Sequence, residues 1–417
     1  EENLRGRAEG TTDWDADLAI VPQPGLVADL AGEGALSPLS DVVGANVELG
    51  WDHTWSAAGT VDGTFYGAPL MASVKSFVWY SPQAFSKAGY EIPTTWDDVV
   101  ALTDRIAADH PKGDVTPWCL GMADGGTTGW SMTDWLEETL LATSGISAYD
   151  AWAGHDVALD SPSAVNALGS VDSLLMRGGH VSGGRQGALS TTMEQAGQRL
   201  VDGSCLMMLA SSSFETMLPA GTTITDPKGR GEGGASGSPT AGGGATGGGT
   251  TTGGEPVEND SAASDATTGG GTTTSAGPAT SVSAFIFPGA ADEDGNPPVL
   301  VGGDYLVSLN RANGTSSAAN AVMEYLTSAE WAQQRAELGG VATANRGVDV
   351  SEVSSDVTVR ATRILQSRQS VIRLDASDSM PSQVGTDALW TALTSWTAGD
   401  LDAKKALAQA EAAWPSQ

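Results

Sequence analysis

The run Gly63-Thr-Phe-Tyr-Gly-Ala-Pro-Leu-Met-Ala-Ser-Val-Lys-Ser-Phe-Val-Trp-Tyr-Ser-Pro-Gln-Ala-Phe85 sets out the pattern from which the fold is read. Within it Phe77-Val-Trp-Tyr80 is a short apolar run of strand length. Shortly after it, Thr95 with Asp98 makes a capping-box-like start for a helix whose Val99, Leu102 and Ile106 recur at helical spacing. The same alternation continues in both directions. Asp17-Leu-Ala-Ile-Val21 is an apolar run stopped by Pro22, and Cys205-Leu-Met-Met-Leu-Ala210 and Val282-Ser-Ala-Phe-Ile-Phe-Pro288 read as buried strands. Helices are expected around Ala318–Leu326, Ser328–Leu338, Val357–Leu365, Thr386–Trp396 and Leu401–Ala413. Strands alternating with helices point to an α/β fold. A chain of 417 residues is too long for one ordinary core and suits two lobes of ~150 residues with a cleft between them.

Composition narrows the function. The formal charge is -31, from 51 acidic and 20 basic residues. Such a surface repels phosphate backbones, so nucleic acid is not an expected partner. No run approaches the roughly 20 apolar residues of a membrane span, and Glu1 opens no basic-then-apolar export signal, so a signal is expected to have been removed or left out. The stretch 229–280 is mostly Gly, Ser, Thr and Ala with scattered acids; it cannot bury enough apolar surface to fold, and strand-like segments flank it. It is expected to be a disordered insertion at a surface loop.

The four histidines show no HExxH spacing, and GxSxG, GxxxxGK[ST] and CxxC patterns are missing from the sequence. Zinc, serine-nucleophile and nucleotide chemistry thus lose their usual signatures, and no catalytic residue, metal or cofactor is nominated. Paired carboxylates stay open, because 51 acids allow many pairs and their geometry is not visible in one dimension. Thirteen tryptophans against six tyrosines and six phenylalanines suit a sugar site, where an indole face stacks on the C–H face of a pyranose. Any single tryptophan is more often core than ligand platform. Trp130, in the loop Gly125-Gly-Thr-Thr-Gly-Trp130 before a helix expected from Thr133, is placed to face a cleft, whereas Trp135 reads as core. Cys119 and Cys205 have apolar neighbours, which fits a buried thiol pair or a disulfide.

The motifs GxxYGxP in Gly63–Pro69, WYSPxAF in Trp79–Phe85 and Ala-Gly-Tyr-Glu-Ile-Pro-Thr-Thr-Trp-Asp-Asp98, in that order, closely resemble the extracellular solute-binding proteins of carbohydrate ABC importers, α-glucoside and maltose types above all. Gly302-Gly-Asp-Tyr305, Met323-Glu-Tyr-Leu-Thr-Ser-Ala-Glu-Trp331 and Ser379-Met-Pro381 extend the resemblance over nearly the whole chain outside the insertion. It implies a two-lobed α/β fold of periplasmic-binding-protein type with a hinge and an interlobe ligand cleft. Residues 1–110 and 303–350 would form lobe 1; residues 111–302 and 351–417 would form lobe 2. Such relatives have a strand and helix ahead of the segment matching Asp15–Ile20, so the first strand of lobe 1 is expected to be missing here.

The same resemblance implies the function and the site. A monomer, exported and lipid-anchored, would bind a small sugar and hand it to the membrane permease subunits of an ABC importer, without catalysing a reaction. An exported location favours a Cys119–Cys205 disulfide. Lys75 would donate hydrogen bonds to sugar hydroxyls, and Trp130 would be a stacking platform. A Met-Pro loop and a downstream Trp line the sugar site in maltose-type relatives, which nominates Met380 and Trp390. Asp304, after the glycine pair Gly302-Gly303, would accept from paired hydroxyls. A secreted glycosidase is the competing reading, and a sensor lobe that has lost its ligand is a third.

Overall fold

A computed structural model describes residues 4, 6, 16–225, 281–292, 295–311 and 314–415. The expected insertion 229–280 and the chain ahead of residue 16, where the missing strand was expected, lie outside the described residues or nearly so. Two five-stranded sheets carry the fold.

The first sheet is organised by β11 (Pro298–Leu309). One of its edges pairs in parallel with β12 (Val371–Leu374) and antiparallel with β1 (Leu18–Val21). Its other edge takes β5 (Gly67–Val74) and β2 (Leu36–Ser37), both antiparallel. A hairpin of β3 (Thr60–Val61) and β4 (Thr64–Phe65) turns at Asp62-Gly63, both with positive φ as a tight two-residue turn requires. The second sheet runs β7 (Thr116–Trp118), β8 (Cys205–Leu209), β6 (Phe77–Tyr80), β10 (Ser281–Ile286), β9 (Thr223–Ile224).

Strand β6 explains why its sequence is apolar without a break. It sits in the middle of its sheet and is buried on both faces. Val78 and Tyr80 join a cluster with Trp118, Trp135 and Trp152, where Trp118 and Trp135 meet edge to face at 4.9 Å. Phe77 and Trp79 point the other way, into the cluster that also holds Trp55, Phe214 and the first sheet. The predicted helix start is present: the Asp98 N–H donates to Thr95 Oγ1 at 3.1 Å and the Thr95 N–H to Asp98 Oδ2 at 3.0 Å, opening the helix Trp96–Asp109. Cys119 and Cys205 form a disulfide with Cα atoms 5.3 Å apart, joining the chain after β7 to its parallel neighbour β8.

The sheets divide the chain differently from the boundaries expected at 110 and 350. Residues 77–109 belong with the second sheet, because β6 needs β8 and β10 beside it and the stripe Val99, Leu102, Ile106 packs into the cluster of Trp118 and Trp135. The helix Asp356–Gln366 and β12 belong with the first sheet: Val357, Ala361 and Leu365 share its core and β12 extends β11. The C-terminal helices Trp390–Ala398 and Ala403–Glu411 return to the core of the second sheet. Among the described residues the chain passes between sheets at Lys75–Ser76, between Ile286 and Pro298, and at Asp375.

Candidate functional site

A cleft of about 500 Å³ opens where the two sheets face each other. From the first sheet it receives the end of β5, with Ser73 and Lys75, and the middle of β11, with Gly302, Gly303 and Asp304. From the second side come Asp124, Trp130 and Asp134 at the start of the helix Trp130–Ser144, then Asp378 and Trp390. Four of the five side chains singled out for ligand contact, Lys75, Trp130, Asp304 and Trp390, therefore line one cleft. Met380 does not. It is 2% exposed, inside the core of Trp135 and Leu389, and the cleft is lined two residues earlier by Asp378.

Two glycines permit this geometry. A Cβ on Gly302 would stand 2.7 Å from Lys75 Cε, so the bare strand lets the lysine stem lie across it. Gly129 has φ +117, and a Cβ there would stand 2.5 Å from the Trp390 carbonyl oxygen. Close approach of these two backbones sets the start of the helix that carries Trp130 against the Trp390 backbone. The helix begins at Trp130 rather than Thr133, since the left-handed Gly129 turns the chain into it. The register of β11 against β5 shifts between Asp304 and Tyr305, a bulge of the kind that re-aims a side chain.

Trp130 is half-buried, and its Nε1–H donates to Asp124 Oδ2 at 3.0 Å, fixing the ring plane. Trp390 is 9% exposed, and its buried Nε1 has no hydrogen-bond partner among the described residues. Burial pushes the Asp304 carboxyl up, with Lys75 pulling it back.

Lys75 differs most from expectation. Its ammonium donates to Asp375 Oδ2 at 2.5 Å, Asp378 Oδ2 at 3.1 Å and Asp134 Oδ1 at 3.2 Å. An ammonium has three hydrogens, and all three are taken. Lys75 thus anchors the acids across the cleft wall. Burial opposes its charge, but the three aspartates raise its pKa well above the usual lysine range. Burial pushes Asp134 up to about 7, against Lys75; burial and the neighbouring Asp375 push Asp378 up to about 7. For Asp375 burial is outweighed by Lys75 and by hydrogen bonds from Ser377 and the Asp378 N–H, so it stays below the ordinary range.

Behind the cleft the same helix buries two more acids. Burial raises Glu138 to about 8 and holds Glu137 well above the carboxylate range. Sequence reasoning missed Asp134, Glu137, Glu138, Asp375 and Asp378. A signal existed: acids at positions i, i+3 and i+4 in a helix whose other faces are filled by Met132, Trp135, Leu136, Leu140 and Leu141, all buried, have no solvent side to point to.

Comparison with known proteins agrees with this architecture. Residues 2–333 match the family described as bacterial extracellular solute-binding protein. The chain is 31% identical over 402 residues to the osmoprotective compounds-binding protein GgtB of Synechocystis, covering 96% of this chain and 80% of GgtB. It is 34% identical over 219 residues to the alpha-glucosides-binding periplasmic protein AglE of Rhizobium meliloti, 50% of this chain and 46% of AglE. Among solved structures, the bacterial solute receptor AcbH matches with a TM-score of 0.71 at 15% identity, over 99% of this chain and 86% of that one. Maltose-bound MalE3 of T. maritima matches with a TM-score of 0.62 at 15% identity, over 98% and 86%. At such identities the solved structures speak for the two-lobed fold alone, while the family match and the GgtB alignment each run through most of the sequence. The chain belongs to the bacterial extracellular solute-binding protein family.

Proposed function

We propose that this protein captures a small sugar, an α-glucoside or another short oligosaccharide, between its lobes and delivers it to the permease subunits of an ABC importer, as an exported, lipid-anchored monomer without catalytic activity. The observation that carries the reading is that Trp130, Trp390 and Asp304 line one cleft. An apolar platform with flanking acceptors is what a pyranose requires. With the Lys75 hydrogens occupied, the carboxylates there accept and the ligand's hydroxyls donate. AglE is named for alpha-glucosides and GgtB for osmoprotective compounds, and the first are uncharged polyhydroxy molecules of the kind this lining suits. Among the described residues, lobe 1 would comprise 16–75, 298–311 and 314–374, and lobe 2 76–225, 281–292, 295–297 and 375–415, closing on the ligand around the three crossings.

A thermal-shift screen against maltose, trehalose, sucrose and related α-glucosides tests this reading. A ligand at 100 times its Kd adds about 2.7 kcal/mol to stability, which shifts melting by several degrees. Melting unchanged by every sugar would defeat it. Release of reducing sugar from those α-glucosides would instead favour a glycosidase.

A further inference from the structure

One face of one helix touches the first and third crossings between the sheets and reaches the second through Ser76. Asp134 Oδ1 accepts from Lys75 Nζ at the first crossing. Glu138 Oε1 accepts from Ser76 Oγ at 2.5 Å, and Ser76 joins the second crossing to the first: its Oγ accepts the Leu300 N–H at 2.7 Å, and its carbonyl accepts the Phe287 N–H at 2.7 Å. At the third crossing Glu137 accepts the N–H groups of Ala376 at 2.8 Å and Ser377 at 3.0 Å, and the Tyr149 hydroxyl at 2.6 Å. Residues 134, 137 and 138 are neighbours on a helix surface, and this helix starts at Trp130, in the wall of the cleft. Glu137 is 0% and Glu138 1% exposed, so neither touches a ligand directly.

We propose that Glu137 and Glu138 are positioning residues for ligand binding, which set the balance between open and closed lobes by clamping the crossings to the helix that carries Trp130. This rests on the reading of the cleft as a ligand site between moving lobes. The physical basis is directional. A lobe rotation is taken up by backbone torsions at the crossings, so the groups at 76, 376 and 377, the first residues on the helix's own side of the first and third crossings, turn against carboxylates that stay with the helix. Hydrogen bonds weaken steeply with misalignment. The clamp therefore has different energies in the two arrangements, and any such difference shifts the population of closed molecules and with it the apparent affinity.

The test is single-molecule FRET between Leu49→Cys and Lys404→Cys, exposed positions on opposite lobes, in a chain whose own two cysteines are tied in a disulfide. It is run on ligand-free protein in the wild-type, Glu137→Gln and Glu138→Gln backgrounds, with sugar Kd measured alongside. We expect both substitutions to shift the ligand-free FRET distribution and to change Kd by at least about 5-fold, the scale of a modest coupling. A merely structural role would lower the melting temperature and leave the FRET distribution of folded molecules in place, and that outcome overturns the proposal. If either glutamine variant does not fold, Tyr149→Phe loosens Glu137 and Ser76→Ala loosens Glu138, read the same way. If no sugar binds wild type, the sugar reading fails, while the ligand-free distributions still decide the fate of the clamp.

Discussion

Lys75→Met removes one ammonium and keeps an unbranched stem of similar length, so it isolates the charge. In the intact protein that charge serves Asp134, Asp375 and Asp378, whose side chains are 5%, 1% and 16% exposed. Removing one partner of a buried ion pair costs about 3–5 kcal/mol, because the other charge is left uncompensated. Two of the acids soften the loss: Asp134 and Asp378 titrate at about 7 and take up a proton readily near neutrality. Asp375 is the acid that Lys75 holds ionised in the intact protein, so its charge is the one the substitution leaves uncompensated. The expected loss at pH 7.5 is therefore near the lower figure, ~3 kcal/mol, or a melting temperature lower by roughly 6–12 °C. The pH dependence has a definite sign. Without Lys75, burial raises the pKa of Asp375; below that pKa the acid is neutral and the uncompensated charge disappears. The deficit is thus largest above pH 7 and shrinks toward pH 5. Differential scanning calorimetry of both proteins at pH 5.0 and 7.5 measures it. Equal melting at pH 7.5, or a deficit of the same size at both pH values, refutes the reasoning.

Trp130→Ala and Trp390→Ala should each weaken binding of whichever sugar the screen identifies by ~1–3 kcal/mol, with circular dichroism unchanged; full affinity by calorimetry in both would remove the indoles from the site. Wild-type melting should fall as pH rises from 5.5 to 8.5. Asp134, Asp378 and Glu138 have folded pKa values raised to about 7, 7 and 8, so the native state binds more protons than the unfolded one across that window, and Glu138→Gln should flatten the slope. Replacing residues 226–280 with a linker of about six residues should leave melting and sugar binding nearly unchanged, because β9 and β10 lie side by side with Thr223 opposite Ser281, a gap of this order. A failure to fold would show that the tract contributes to the core. Reduction of Cys119–Cys205, which closes a loop of 86 residues, should lower stability by up to about 4–5 kcal/mol, read as a melting shift with and without reductant.

Much of the fold was legible because local chemistry and global position agree. Strand β6 is apolar throughout because both its faces are covered, and the Thr95–Asp98 box starts its helix within one turn of chain. Trp130 stood out through the excess of tryptophan and the glycine-rich loop before it, and Trp390 through the resemblance to maltose-type relatives. The role of Lys75 was not legible, since two of its partners lie 59 and 300 residues away and nothing local says that a lysine's hydrogens are already taken. Met380 drew attention through resemblance, but the 376–379 turn gives the cleft Asp378 and sends the methionine into the core. The lobe boundary at 110 came with the resemblance, whereas strand pairing sends the chain across at Lys75–Ser76.

The outer strands of the second sheet have a consequence of their own. β7 spans three residues and β9 two, each bounding a sheet whose inner strands run from four to six residues. A foreign strand approaching either side finds a ladder too short to dock on, the usual protection of natural sheets against edge-to-edge aggregation. On the first sheet the outer side of β5 is partly occupied as well, by a bridge from Ala72 to Ala342. A variant that lengthened β9 into a regular edge strand would keep its interior intact and still become prone to self-association at high concentration.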